Sequence, residues 1–480
     1  MNDRYLTVAE VTDSARKLVS RFPGTARLRR IGTSREGRPL LMLSAGHGPH
    51  KALVVAGPHP DERAAGGTAL ALAELAARGD RQSPATDPTL VTWNIILCLD
   101  PDGAALAEAA DDAGPVLGRG FDPVSVSVPD LGNAAGPGFG PDLGPIPAKR
   151  PLSLARYYRT AYRPMAAEQP EWAPVADRPI PETLALLRVI DELRPFIQCS
   201  LHSTDVGGSW IQLTRDLPDL AVPFRESAEA IGIPLQQGTY DALYWENPSP
   251  AIYVLPPPDS AARLAAGSED IARSTWCAPR HYGGVTAIIE VPIWAAPMVA
   301  DTTPEPEAVR LLSNLADLVR DGGRQVTEVL SKTRGFLPPP ETDPLRRVLE
   351  WMAAGLYDLV AASWQPLAQQ AVAANTPEDP RHLTTAQVAA LDIVARRQPL
   401  RAAGLLLRLL EASANAAAPA LHDELSDLFT TWCTDFETAL HTRPVPVHAQ
   451  VAHQTRTAVA AAECALRALG QGCAPRAEQA

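Results

Sequence analysis

Short apolar runs alternate with longer stretches of helical spacing through roughly the first 300 residues, the pattern of a sheet with helices packed on it. Residues 40–45, 52–56, 92–99, 196–201 and 285–291 are predicted as strands. Most are continuously apolar instead of alternating, which fits strands covered on both faces. Helices are predicted at 64–77 and at 182–193, the second opening on Pro181, whose fixed φ suits a first helical turn.

The pattern changes after Pro304. Strand signals stop, and Ala, Leu, Arg and Glu recur at helical spacing. Pro338, Pro339 and Pro340 read as a linker, followed by Asp343 as an N-cap and Pro344 as the first helical residue. In the helix that follows, Val348, Met352, Leu356 and Leu359 fall on one face. The expected fold class is therefore α/β: a mixed, largely parallel sheet with helices on both faces over residues 1–335, then a C-terminal all-α module over 336–480. A Gly- and Pro-dense stretch at 114–151 reads as a long loop near the site.

Composition narrows the function. The chain has 480 residues and a formal charge of −12, so a nucleic-acid partner is not expected without a basic cluster, and none is visible. No apolar run reaches the ~18 residues that would span a bilayer. The N-terminal segment lacks the basic and apolar regions of a signal peptide. Six scattered cysteines with no C-x-x-C pair fit reduced thiols. Together these features predict a cytoplasmic protein.

The richest chemistry lies in KALVVAGPHPDERAAGG, where a buried strand runs into His59-Pro60-Asp61-Glu62 ahead of a helix. His59 and Glu62, spaced H-x-x-E in a turn, can meet one cation, since zinc accepts imidazole nitrogen and carboxylate oxygen. His202, at the end of the run PFIQCSLH, is the best third ligand, because α/β sheets build their sites beyond the carboxyl ends of strands. Glu290 interrupts the apolar run GVTAIIEVP, and an ionised carboxylate buried there needs a cation, a raised pKa or an opening to solvent. Taken singly, each residue also fits a structural part: a hydrogen-bonded turn histidine, an inert strand-end histidine, a satisfied core acid.

Taken together these four residues resemble the M14 family of zinc carboxypeptidases. Gly32-Thr33-Ser34-Arg35-Glu36-Gly37-Arg38 is similar to the family's G-x-S-x-x-G-R element. Asp100-Pro101-Asp102-Gly103 is similar to its N-P-D-G turn, and Pro181-Glu182-Thr183 to its P-E-T helix start. The resemblance covers roughly residues 25–300. It implies one Zn2+ per chain held by His59, Glu62 and His202, with Glu290 as the catalytic acid/base that deprotonates the attacking water and protonates the leaving amine.

The sequence departs from the family at substrate recognition. The usual Asn-Arg pair is not legible, since Asn133 is followed by Ala134. Arg159 and Arg163 are the candidates for carboxylate binding, with Arg163 preferred and also assigned a catalytic part in polarising the carbonyl. The family's tyrosine has no counterpart at its usual distance, which leaves Tyr282 or Tyr240 as substitutes. His47 and His50 read as solvated loop residues, His441, His448 and His453 as too scattered for a metal site, and Trp210 and Trp245 as core.

The expected function is a zinc metallohydrolase, a carboxypeptidase acting on a peptide or peptide-like metabolite. Two alternatives stay open: a zinc amidohydrolase or deacylase acting on a small molecule, and a catalytically silent peptide-binding protein. The helical module is an expected site of dimerisation or partner binding.

Overall fold

The computed structural model describes residues 4–79, 83–113, 153–171, 178–243, 245–256, 274–373 and 382–471. The long loop expected at 114–151, with Asn133, lies outside the described residues. Ten strands form one mixed sheet: β1 (Ala26–Thr33), β2 (Pro39–Ala45), β3 (His50–Val55), β4 (Val91–Ile96), β5 (Ile197–Gly207), β6 (Trp210–Leu213), β7 (Glu246–Ser249), β8 (Ile252–Val254), β9 (Val285–Ala295) and the two-residue β10 (Arg443–Pro444). Their spatial order is β1-β2-β4-β3-β5-β9-β6-β8-β7, with β10 pairing β9. The central ladder β4-β3-β5-β9 is parallel, while β1, β2, β7 and β10 pair antiparallel.

Helices cover both faces. Along β3, Ala52 and Val54 pack into a cluster with α1 (Val8–Arg21) and α2 (Ala64–Arg78). The intervening Leu53 and Val55 face α5 (Pro181–Leu193), through Leu186, Val189 and Ile190. This period of two is the pleat of a strand buried on both sides. The remaining helices before Pro338 are α3 (Pro101–Ala113), α4 (Leu154–Thr160), α6 (Ala221–Glu229) and α7 (Ala308–Lys332).

After Pro338 come α8 (Pro344–Trp351), α9 (Tyr357–Ser363), α10 (Gln365–Val372), α11 (Thr385–Glu411), α12 (Ala418–Leu440) and α13 (Val447–Gln471). Asp343 caps α8 by accepting from the Arg346 backbone N–H, with Pro344 in the first turn, as the sequence predicts. A single π turn, Met352–Leu356, separates α8 from α9, and it corrects one expectation. The extra residue rotates the apolar stripe: Val348 and Met352 are buried, but Leu359 is 50% exposed and Val360 takes the inward place. Helices on the two sides of Pro338 share one core, in which α11 packs on α7 and α4. The last helix, α13, lies across α2 and β9, through Ala458, Ala461, Ala462 and Ala465.

Two strands outrun their predicted ends, and this creates the site. β3 stops at Val55, opposite Ser200, whereas β5 continues beside β9 to Gly207. His202 therefore lies within a strand, not beyond its end as the sequence pattern suggests. It is nonetheless past the end of the neighbouring β3, where the turn carrying His59 and Glu62 begins.

Candidate metal centre

At that step in the sheet three side chains converge. His59, Glu62 and His202 are all buried, and one ligand atom from each lies within 4.8 Å of the others. His59 Nδ1 is 2.9 Å from Glu62 Oε1, and His202 Nδ1 is 2.9 Å from Glu62 Oε2. The second approach makes no hydrogen bond, so Oε2 is a buried carboxylate oxygen without a donor among the described residues. A buried anion left half-satisfied is costly, and a cation between the two imidazoles and the carboxylate relieves it.

The opposite ring nitrogens are already engaged. His59 Nε2 is 3.1 Å from the Gln169 side-chain oxygen, while His202 Nε2 is 2.8 Å from Glu171 Oε2 and 3.0 Å from Ser200 Oγ. Acceptors on Nε2 fix the tautomer that turns Nδ1 toward a metal, the usual outer shell of a histidine ligand. The donor set and its outer partners thus fit a zinc ion, and three protein ligands would leave one of its usual four positions for a further ligand.

Electrostatics follow from burial among these charges. Burial opposes ionisation of Glu62, but His59, Arg163 and His202 hold its carboxyl well below the usual range. Burial would neutralise His202, yet Glu62 and Glu171 keep its pKa well above normal. Burial and the Arg163 charge push His59 down.

Glu290 stands beside this cluster. Parallel register pairs it with His202, so both side chains lie on the same face of the sheet. Burial, then the nearby Glu62 charge, pushes its carboxyl up to about 8. Ser209 Oγ donates to its backbone oxygen at 2.7 Å.

Of the substrate-binding candidates, the structure brings only Arg163 to the cluster. It reaches Glu62 and donates to Asp61 at 3.1 and 3.2 Å. Arg159 instead pairs with Glu411 on α11. Tyr282 lies just before β9, at the end of the strand away from His202. Its hydroxyl donates to Asp191 at 2.9 Å and Arg194 stacks on its ring, so it is not brought to the site. Tyr240 is packed in the core shared with the later helices. His47 and His50 are exposed, and Trp210 and Trp245 are core residues.

The flanking motifs meet as well. Asp102 accepts from Ser34 Oγ, Arg38 and the Glu36 backbone, while Glu182 accepts from the Arg35 backbone at 3.0 Å. A Cβ on Gly103 would sit 2.3 Å from Pro60 and 2.5 Å from Asp100, so only glycine lets this turn close against the ligand loop. Gln169, Glu171, Asp61 and Asp205 are partners that sequence reasoning missed. Asp205 is fully buried; despite that burial, Arg397 and Arg401 of α11 hold it below the usual carboxylate range. For Glu171 the available signal was an acid between Pro170 and Trp172 in the sequence.

Comparison with known proteins places part of the chain. Residues 11–116, the stretch holding His59 and Glu62, match the zinc carboxypeptidase model of the M14 peptidases. No curated protein matches. Among solved structures, a metallo-carboxypeptidase from Burkholderia cenocepacia is 15% identical with a TM-score of 0.35, over 59% of each chain. Carboxypeptidase A from Helicoverpa armigera is 15% identical with a TM-score of 0.35, over 61% of this chain and 65% of its own. A metallo-carboxypeptidase from Pseudomonas aeruginosa, in complex with (2-guanidinoethylmercapto)succinic acid, is 15% identical with a TM-score of 0.31, over 58% of each chain. The chain thus covers less than two thirds of the length of each, and likeness this distant leaves the assignment to the sequence match. Through residues 11–116, the chain is similar in sequence to the zinc carboxypeptidases of the M14 type.

Proposed function

We propose that the chain is a zinc-dependent carboxypeptidase that hydrolyses the last amide bond of a peptide or peptide-like substrate. The observation that carries this reading is the convergence of two Nδ1 atoms on a carboxylate with an unbonded oxygen, with Glu290 in register beside them. His59, Glu62 and His202 would hold the ion. Bound zinc supplies Lewis-acid polarisation of an amide carbonyl and acidifies water.

Glu290 takes the proton of the water that attacks the carbonyl carbon and returns it to the departing nitrogen, which leaves as a neutral amine. Burial and the Glu62 charge raise this carboxyl, and a bound dication would draw it back down, toward the range in which it can take up and return a proton at neutral pH. Arg163 holds Glu62 and Asp61 in place and presents a planar fork to the substrate's carbonyl or carboxylate oxygens. A reducing, cytoplasmic location fits the free thiols Cys98, Cys199, Cys277, Cys433 and Cys464. Among the described residues no helix is long and apolar enough to cross a membrane.

Zinc analysis combined with digestion of a peptide library tests the proposal. About one zinc per chain and loss of single C-terminal residues are expected, and amidated peptides should resist. Glu290→Gln should keep its zinc and lose roughly 10²–10⁴ in kcat. Equal cleavage of amidated and free peptides would indicate a broader amidohydrolase, and a fully active Glu290→Gln enzyme would remove Glu290 from the mechanism.

A further inference from the structure

Alternating charges tie the metal-ligand turn to α11, more than three hundred residues further along the chain. Arg163 reaches Glu62 Oε1 and donates to Asp61 Oδ1 from Nε at 3.2 Å and from Nη2 at 3.1 Å. The other oxygen of Asp61, Oδ2, lies 3.5 Å from Arg401 Nη2 of α11, and that same Nη2 donates to Asp205 Oδ2 at 3.3 Å. Arg397, one turn earlier on α11, is 2.8 Å from Asp205 Oδ1. Opposite charges thus follow one another through Glu62, Arg163, Asp61, Arg401, Asp205 and Arg397. Asp241 faces all three guanidinium groups as a further negative charge at longer range.

Arg401 is the member whose place needs a reason. Asp205 is satisfied without it, by Arg397, the Tyr158 hydroxyl at 2.8 Å and the Val206 backbone N–H at 2.9 Å. Asp61 Oδ2, by contrast, has besides Arg401 only the Tyr157 hydroxyl at 3.3 Å among the described residues. The position also carries a penalty, since the buried Nε of Arg401 finds no acceptor among the described residues. Close packing nevertheless holds the helix there. A Cβ on Gly404 would overlap the Tyr158 backbone oxygen, so glycine lets α11 close against α4, which carries both tyrosines.

We infer that Arg401 is a positioning residue for the metal centre: through Asp61 and Arg163 it fixes the Glu62 carboxylate, so that α11 sets how tightly zinc is held. Groups that orient a metal ligand typically cost roughly 10–100-fold in metal affinity when removed. Charge alone predicts the opposite sign. A guanidinium near the site repels a dication, and neutralising it leaves Asp61 and Asp241 more negative, so zinc binding would tighten. Positioning predicts weaker binding, because Asp61 without Arg401 no longer fixes Arg163 against Glu62. The inference goes beyond the carboxypeptidase reading and rests only on its zinc site. It gives a metal-centre role to a residue far outside the stretch that matches the peptidase model.

The test measures the zinc dissociation constant of the full-length protein by competition with a chelator, and thermal unfolding of the metal-free form. It compares wild type with Arg401→Gln, Arg401→Lys, Asp61→Asn and the double variant Asp61→Asn/Arg401→Gln. Val388→Ala, at a buried position thirteen residues before Arg401 on α11, controls for plain loss of packing. Arg401→Gln should weaken zinc binding about tenfold, and Arg401→Lys, which keeps the charge, should recover part of that loss. Val388→Ala should lower the unfolding temperature and leave the zinc constant unchanged. In the Asp61→Asn background, where the relay is already cut, Arg401→Gln should change the constant by less than about twofold. Unchanged or tighter zinc binding in Arg401→Gln, or the same loss in both backgrounds, would overturn the relay and leave the hydrolase reading standing. The expected zinc pattern in a protein that cleaves no peptide would keep the relay and overturn the hydrolase reading. A wild type that binds no zinc would overturn both.

Discussion

Asp100 is fully buried, and its Oδ2 has no hydrogen-bond partner among the described residues, while Oδ1 accepts from the Gly103 backbone at 2.9 Å. Burial pushes its carboxyl up to about 7. A group that binds its proton more tightly when folded stabilises below its unfolded pKa and loses that contribution as pH rises through the folded value. Between about pH 4 and pH 7 the wild type should therefore lose stability relative to Asp100→Asn, by on the order of 2–4 kcal/mol, with the difference level above the upper bound. Urea melts of both proteins at stepped pH check this, and a difference independent of pH would refute the buried-acid account. At this scale the four candidate residues stood out in the sequence because each breaks or ends an apolar run or occupies a turn. Their partners did not: Gln169 and Glu171 acquire meaning only when the chain returns to the cluster from a distance. Tyr282 lies apart from the cluster because the strand between it and Glu290 is extended, at ~3.3 Å per residue.

The helical elements hold two lessons about period. A uniform 3.6-residue repeat places Leu359 inward, but the π turn shifts the phase and buries Val360. Leu359→Asp should thus change stability by less than about 0.5 kcal/mol, whereas Val360→Asp should cost several kcal/mol or prevent folding. Comparable effects of the two would restore the uninterrupted helix. In α13 the rule of apolar-in is reversed: Gln450, His453, Gln454 and Thr457 form a polar stripe at helical spacing, and all are fully buried. Gln454 donates to the backbone oxygens of His202 and Ile289 at 2.7 and 3.1 Å and accepts from Thr68. His453, pushed down to about 3 by burial and so neutral, bridges Ser227 and Ser209 at 2.8 Å each, and Ser209 in turn holds the Glu290 backbone. Gln454→Leu leaves several buried polar groups unmatched and should cost ~1–3 kcal/mol in chemical denaturation. It should also lower zinc retention in a chelator competition, a readout that plain loss of packing at a distant site would leave unchanged. The stripe was visible in the sequence, but polar spacing in an Ala-rich helix reads first as a solvated face.

For the whole molecule, the sheet with helices on both faces followed from the apolar runs, while the seating of the later helices did not. Their contact surfaces are largely alanine, as in Ala458, Ala461, Ala462 and Ala465, and alanine suits a helix whether it is buried or wet. The ion pairs from Arg397 and Arg401 to Asp205 also join residues nearly two hundred positions apart. Removing residues 336–480 would strand Asp205 as a buried, unpaired charge, at a cost of ~3–5 kcal/mol, and would strip α13 from the sheet. Residues 1–335 alone should therefore yield aggregated protein, and the full chain should unfold calorimetrically in one transition. A soluble, zinc-binding 1–335 fragment would show that the sheet-bearing part stands alone.

The brace from α13 has a consequence for synthesis. Ribosomes deliver residues in order, and every ligand of the metal centre emerges before residue 447. A nascent polypeptide halted short of that point already carries His59, Glu62, His202 and Glu290, but not the helix that locks the strands of His202 and Glu290. The candidate metal centre is thus left without its brace until this late segment docks.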